Sequence, residues 1–182
     1  MNREQLSHVL RAAAQIAEDP DIVVIGSQAI LGTYGEEELP AEATVSVEVD
    51  IAFRDDPTES KADRVDGAIG EGSLFHETHA YYAQGVSVST AVLPSGWEER
   101  VVSYERIDAA PSRARCIEAH DLVVSKLVAG REKDVDFATA LIAAGLVDPA
   151  TLLRRAENLP GPRALAKRVQ ASINRCARQA SD

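Results

Sequence analysis

The sequence has few cysteines and no long apolar run, and each of these shortages removes a class of protein. Of its 182 residues only two are cysteine, Cys116 and Cys176, so neither a disulfide framework nor a zinc site of closely spaced thiolates is predicted. No apolar stretch approaches the length of a membrane span, and the N-terminus lacks the pattern of a signal peptide. We therefore expect a cytoplasmic protein with free thiols and no membrane partner.

Positive charge is also scarce. The chain has 19 lysines and arginines against 29 aspartates and glutamates, for a formal net charge of −10. This balance disfavours an extended nucleic-acid surface, because nonspecific affinity for phosphate depends on clustered lysine and arginine. The basic residues do cluster between Arg154 and Arg178, which is more often typical of a solvated helix face than of a binding site. A polynucleotide partner would have to bind to a small local surface.

Hydrophobic periodicity predicts strands in the first part of the chain and helices in the second. The predicted strands are 22–25, 45–53, 86–92, 101–104 and 114–117. Helices are predicted at 2–19, where Asn2 and Gln5 suit a capping box, at 28–33, at 58–69 with Thr58 as N-cap, and from Glu118 onward, including 149–158 and 162–177.

The connections between these strands are too long for a simple meander. The predicted fold class is therefore α/β (α+β), a mixed β-sheet with helices packed on it. We expect residues 1–117 to form the core with its N-terminal helix, and residues 118–182 to form a helical part packed on that core.

The segment VSVEVDIAF, residues 45–53, is the strongest functional signal. Apolar residues occupy its odd positions, and polar or small residues its even ones, which is typical of a half-buried strand. Glu48 and Asp50 therefore share one face, with Cα atoms roughly 6–7 Å apart. Two carboxylates at that spacing can converge on one cation. The alternative is a solvated edge of an acidic protein.

Two further segments carry residue types that suit phosphate binding. Gly26-Ser27 follows the first strand, where glycine lets the backbone approach a ligand and the next helix start offers amides to an anion. It matches no phosphate-loop or dinucleotide fingerprint, so a plain turn is the alternative. Lys126 borders the apolar stripe of the helix after Glu118, where a lysine without a function would extend to solvent.

These three elements, in this order, resemble the nucleotidyltransferase superfamily with its polymerase-β-like fold. The likeness spans roughly residues 22–146. Within the superfamily the chain resembles the small prokaryotic AbiEii-like or MenT-like proteins, several of which are toxins of toxin–antitoxin pairs, and related uncharacterised nucleotidyltransferase-like proteins. The resemblance implies that Gly26 and Ser27 hold nucleotide phosphates, Glu48 and Asp50 bind Mg²⁺, and Lys126 and Arg131 stabilise the triphosphate. It also implies that Glu48, Asp50 and Lys126 are the catalytic residues.

The resemblance implies Mg²⁺-dependent transfer of a nucleotidyl group from a nucleoside triphosphate to a hydroxyl acceptor. The acceptor stays open among an RNA end, a protein and a small molecule, and an antitoxin is an implied partner. Two departures stand out. Glu48 replaces the usual first aspartate of the strand, and 86–92 offers only Ser87 and Ser89 where many relatives carry another carboxylate.

Asp134 and Asp136 are candidates for the base that the missing carboxylate would have supplied. A non-catalytic descendant of the fold, which binds a nucleotide or a protein partner without turnover, is the alternative function.

Overall fold

Five strands form one mixed sheet in the computed structural model, which describes residues 1–181. Along the chain they are β1 Ile22–Val24, β2 Glu48–Phe53, β3 Tyr82–Gly85, β4 Val102–Ser103 and β5 Arg115–Cys116. Their spatial order is β3-β2-β1-β5-β4. The β1/β2 and β4/β5 pairs are antiparallel, whereas β1/β5 and β2/β3 are parallel. The predicted mixed sheet is confirmed.

Helices pack on this sheet and fill the second part of the chain. They are α1 Arg3–Ala17, α2 Ala41–Thr44, α3 Ser60–Ile69, α4 Leu74–His79, α5 Ala119–Ala129, α6 Glu132–Ala143, α7 Pro149–Glu157 and α8 Arg163–Gln179. Helix α1 begins with the predicted capping box, in which the Asn2 side chain accepts from the Gln5 amide at 2.8 Å. None of the helices within 1–181 is long and apolar enough to span a bilayer. Both cysteines are buried free thiols.

Strand β2 starts later than the periodicity predicted. Val45 and Val47 are 75% and 46% exposed, and the pairing with β3 begins at Glu48. The Val47 carbonyl accepts one hydrogen bond from the Tyr82 amide at 3.1 Å, but the regular ladder of paired residues starts only at Glu48. From Glu48 onward the predicted pattern holds, with Val49 and Ile51 fully buried.

The prediction of a strand over 86–92 is wrong. Strand β3 ends at Gly85, and Val88–Thr90 forms a 3₁₀ helix in which the Ser87 hydroxyl accepts a hydrogen bond from the Ser89 amide. Serine hydroxyls that bond nearby amides compete with the sheet ladder, which explains why the valine and serine alternation does not extend the strand. Ser87 and Ser89 therefore lie outside the sheet.

The predicted N-cap of α3 is also wrong. Glu59, with a left-handed φ of 58°, occupies that position, and Thr58 is exposed. One carboxylate oxygen of Asp56 accepts hydrogen bonds from the Lys61 and Ala62 amides, each at 2.9 Å. Asp56 thus satisfies first-turn amides that have no partner inside the helix.

Asp56→Ala is expected to destabilise the protein by about 1 kcal/mol, because it leaves these amides without an acceptor. Thr58→Ala is the matched control and should change stability by less than ~0.5 kcal/mol, as for most exposed substitutions. Urea denaturation of both variants measures the difference. Equal losses in the two variants would contradict the assignment of Asp56 as the capping residue.

Candidate active-site cleft

The predicted site residues meet in one cleft of about 410 Å³ at the end of the sheet where β1 finishes and β2 begins. Sheet pairing and the packing of α5 and α6 bring them there from four separate segments. All six residues line the cleft: Gly26, Ser27, Glu48, Asp50, Lys126 and Arg131. Sequence distance between them is large, so only the tertiary fold makes them neighbours.

Glu48 and Asp50 lie half-buried on the same face of β2. Burial raises the pKa of Asp50 to about 6, with the Glu48 carboxylate adding to the rise and Lys126 and Arg131 opposing it. Tyr82 stands in register with Glu48 on β3 and donates its hydroxyl to Glu48 Oε2 at 3.0 Å. The acidic pair is therefore held in place by the sheet while its negative charges repel each other.

Gly26 makes the position of Asp50 possible. A Cβ atom built on Gly26 would lie 1.5 Å from Asp50 Oδ2 and 2.5 Å from its Cγ. No side chain fits in that space, so the backbone after β1 contacts the Asp50 carboxylate directly. Ser27 then begins the short helix predicted for this segment, which is a 3₁₀ helix over Ser27–Gly32. The Gly26-Ser27 backbone and the acidic pair thus form adjoining walls of the cleft.

Lys126 and Arg131 form the opposite wall through a shared carboxylate. Asp134 is fully buried, and its oxygens lie 3.3 Å from Lys126 Nζ and 2.8 Å from Arg131 Nε. Lys126 is only 11% exposed, and its ammonium also lies 4.8 Å from the centre of the Phe137 ring. Burial lowers the pKa of Lys126, and the Asp134 carboxylate opposes that effect. Lys126 does not extend to solvent.

Neither candidate for the missing base is available in the cleft. Although burial raises the pKa of Asp134, hydrogen bonds from Arg131 and the charge of Lys126 hold it below its usual value. Its proton affinity is therefore low and its oxygens are occupied. Asp136 is exposed and does not line the cleft.

Gln84 is a cleft residue that the sequence did not single out. It stands in register with Asp50 on β3 and lines the cleft. The wrong placement of the later strand at 86–92 hid both Gln84 and Tyr82, because the register between β2 and β3 is what identifies them. The side chain opposite Asp50 is therefore a neutral amide and not a carboxylate.

The acidic pair suits a hard divalent cation that takes only one or two of its ligands from the protein. No group of three or more histidine, cysteine or acidic side chains able to hold a metal occurs among residues 1–181. Mg²⁺ commonly binds one or two carboxylates and takes its other ligands from phosphate and water. The raised pKa of Asp50 marks a site where added positive charge would relieve repulsion. Two carboxylates in a cleft that also carries a lysine and an arginine fit this mode.

A mixed sheet with an acidic pair, a Gly-Ser turn, a lysine and an arginine lining one cleft fits the nucleotidyltransferase class that the sequence resembles. Residues 4–158 match the family described as nucleotidyltransferase of unknown function (DUF6036), and the chain belongs to that family. No curated protein and no solved structure matched significantly. The resemblance to nucleotidyltransferases is confirmed, and the AbiEii-like or MenT-like subtype stays a prediction.

Gly26→Ala is expected to destabilise the protein by roughly 1–3 kcal/mol, as overpacking of a closed site does. The clash is mainly with the Asp50 carboxylate, so the cost should fall clearly in an Asp50→Ala background. Denaturant unfolding of the four proteins in this double-mutant cycle measures the coupling. Gly67→Ala is the control, since a Cβ there meets nothing within 4 Å. An equal cost of Gly26→Ala in both backgrounds would contradict the contact.

The raised pKa of Asp50 predicts a pH-dependent effect of Asp50→Asn. Below about pH 4 the Asp50 carboxyl is protonated in both the folded and the unfolded protein. Between pH 4 and 6 it is ionised in the unfolded chain but still largely protonated in the folded protein. The folded state therefore loses stability as the pH rises through this range. The free energy of unfolding of Asp50→Asn, relative to that of wild type, should therefore increase by roughly 1–3 kcal/mol between pH 4 and pH 7.5. Urea denaturation at the two pH values, with Asp136→Asn as control, tests this. A pH-independent difference would contradict it.

Proposed function

We propose that this protein transfers a nucleotidyl group from a nucleoside triphosphate to a hydroxyl acceptor with the help of Mg²⁺. The observation that carries the proposal is the arrangement of charge in one cleft. The acidic pair Glu48 and Asp50 lines one wall, and Lys126 and Arg131 line the other. A metal-bound polyphosphate needs carboxylates to hold the metal and cations to neutralise the phosphates, and both kinds of side chain line this cleft.

Glu48 and Asp50 would hold the ion, which when bound supplies neutralisation of phosphate charge and polarisation at phosphorus. The hydrogen bond from Tyr82 orients Glu48 by occupying one of its oxygens, so the other oxygen can serve as a ligand. The Gly26-Ser27 turn lines the same cleft, where its backbone amides and the Ser27 hydroxyl would donate hydrogen bonds to phosphate. These residues bind and orient the triphosphate.

Lys126 and Arg131 would stabilise negative charge on the triphosphate and on the departing pyrophosphate. Their shared partner, Asp134, holds both cations on the cleft wall and fixes the side chains before the substrate arrives. Pre-orientation of this kind lowers the cost of ordering long side chains during catalysis.

Nucleotide binding without transfer is the second candidate function. The observation that favours it is the chemistry opposite Asp50, where Gln84 supplies an amide that cannot take a proton from an acceptor hydroxyl. Within the described part of the chain, the acidic side chains that line the cleft are Glu48 and Asp50 alone. The part of the cleft opposite Asp50 therefore offers no side-chain base to an acceptor hydroxyl.

A toxin role with an antitoxin partner is part of the proposal only through the resemblance to AbiEii-like and MenT-like proteins. Growth arrest on induced expression, relieved by Asp50→Asn, would support it. Unimpaired growth at high expression would remove it without affecting the proposed chemistry.

The decisive experiment incubates the purified protein with each of the four α-³²P-labelled nucleoside triphosphates, Mg²⁺ and cell lysate, and measures label in macromolecules. We expect wild type to transfer label from at least one nucleotide, and Asp50→Asn to reduce transfer on the order of 100-fold or more. Asp136→Asn removes the same charge outside the cleft and should retain activity.

Nucleotide binding by wild type without transfer would favour the second candidate. Equal transfer by wild type and Asp50→Asn would exclude the acidic pair as the catalytic centre.

A further inference from the structure

Helix α8 presents positive charge that no carboxylate compensates. Its 17 residues include five basic side chains and no acidic one, in a chain of net charge −10. Val169, Ile173 and Cys176 form its buried face. All five cations are exposed, and none is within ion-pair distance of a carboxylate in residues 1–181: Arg163, Lys167, Arg168, Arg175 and Arg178.

This basic face of α8 is continuous with the wall of the cleft. Arg168 Nη2 donates a hydrogen bond to the Val128 carbonyl at 2.9 Å. Val128 lines the cleft, as do Arg131 and Lys133 immediately beyond it in the chain. A path of cations therefore runs from the cleft past the end of α5 to α8. Helix α8 lies outside the segment matched to the family, residues 4–158.

We propose that the basic face of α8 binds the phosphates of a single-stranded nucleic acid and leads its hydroxyl end into the cleft. The helix is about 26 Å long, so its cations can follow a run of consecutive phosphates. Four of the five are arginines, whose planar guanidinium matches phosphate geometry. The role of the strand as acceptor rests on the proposed function, whereas the binding itself does not.

The chemistry of α8 favours a nucleic acid over an acidic protein. Protein interfaces usually need apolar or aromatic anchors at their centre. The large exposed apolar side chains of the described residues lie elsewhere, at Val45, Val47, Leu74 and Ile107. Helix α8 also has no aromatic residue on which bases could stack, so it should bind through phosphates and with little sequence preference.

The test is fluorescence anisotropy of a labelled 20-nucleotide single-stranded RNA, and of the matching DNA, titrated with protein between 50 and 200 mM salt. With five phosphate contacts the slope of log K against log salt approaches about −3.5, or about a 100-fold loss of affinity over this range. The triple variant Lys167→Gln, Arg175→Gln, Arg178→Gln leaves two contacts, so its slope should fall toward about −1.4. Arg168 is retained because it bonds Val128.

The control is the triple variant Arg54→Gln, Arg106→Gln, Arg113→Gln, which changes net charge equally at exposed positions outside α8 and the cleft. It should keep the wild-type slope. The proposal is overturned if wild type does not bind at 50 mM salt, if both triple variants weaken binding equally, or if polyglutamate displaces the strand as well as an unlabelled strand does.

These outcomes separate the binding face from the chemistry. Binding that depends on α8, without any nucleotidyl transfer, would overturn the proposed function and retain the nucleic-acid surface. Transfer to another acceptor by a protein that binds no strand would overturn the surface and retain the proposed function.

Discussion

The close approach of two carboxylates on β2 is the interaction on which the rest of the cleft depends. Glu48 and Asp50 are held side by side by the pleat of a strand paired on both edges, and they cannot separate without breaking the sheet. Burial and mutual repulsion together raise the pKa of Asp50. The neighbouring features, a glycine without a side chain, a tyrosine hydroxyl and a facing cationic wall, all accommodate or reduce this concentration of negative charge.

The two cations of the cleft, Lys126 and Arg131, are held by an ion-pair network around a buried carboxylate. Lys126 and Arg131 come from the end of α5 and the start of α6, and the buried Asp134 carboxylate joins them across the turn. A buried carboxylate with two cationic partners is costly to disrupt, because removal of one partner leaves charge without compensation. The same pairing that stabilises the junction of the two helices also orients the cations toward the acidic pair. Structural and functional roles of these residues are therefore not separable by stability alone.

Much of the fold was predictable because local patterns agreed with tertiary packing. The capping box of α1 and the helices from Glu118 onward follow from spacing and end signals that act within a few residues. Hydrophobic alternation predicted the wrong structure where strand formation depends on pairing with another strand. Val45 and Val47 alternate like strand residues but lie before the first ladder pair, and the segment after Gly85 closes into a 3₁₀ helix through its own serines.

The sequence by itself determined that Glu48 and Asp50 share a face, since side chains two apart on a strand always do. It also determined that a glycine follows β1 and that positive charge is concentrated in the last helix. Only the tertiary structure decided that Gly26 must be glycine because Asp50 lies against it, and that Gln84 stands opposite Asp50. It also decided that Lys126 is paired with Asp134 and not with solvent. Register and burial are properties of contacts between distant segments, and no local pattern encodes them.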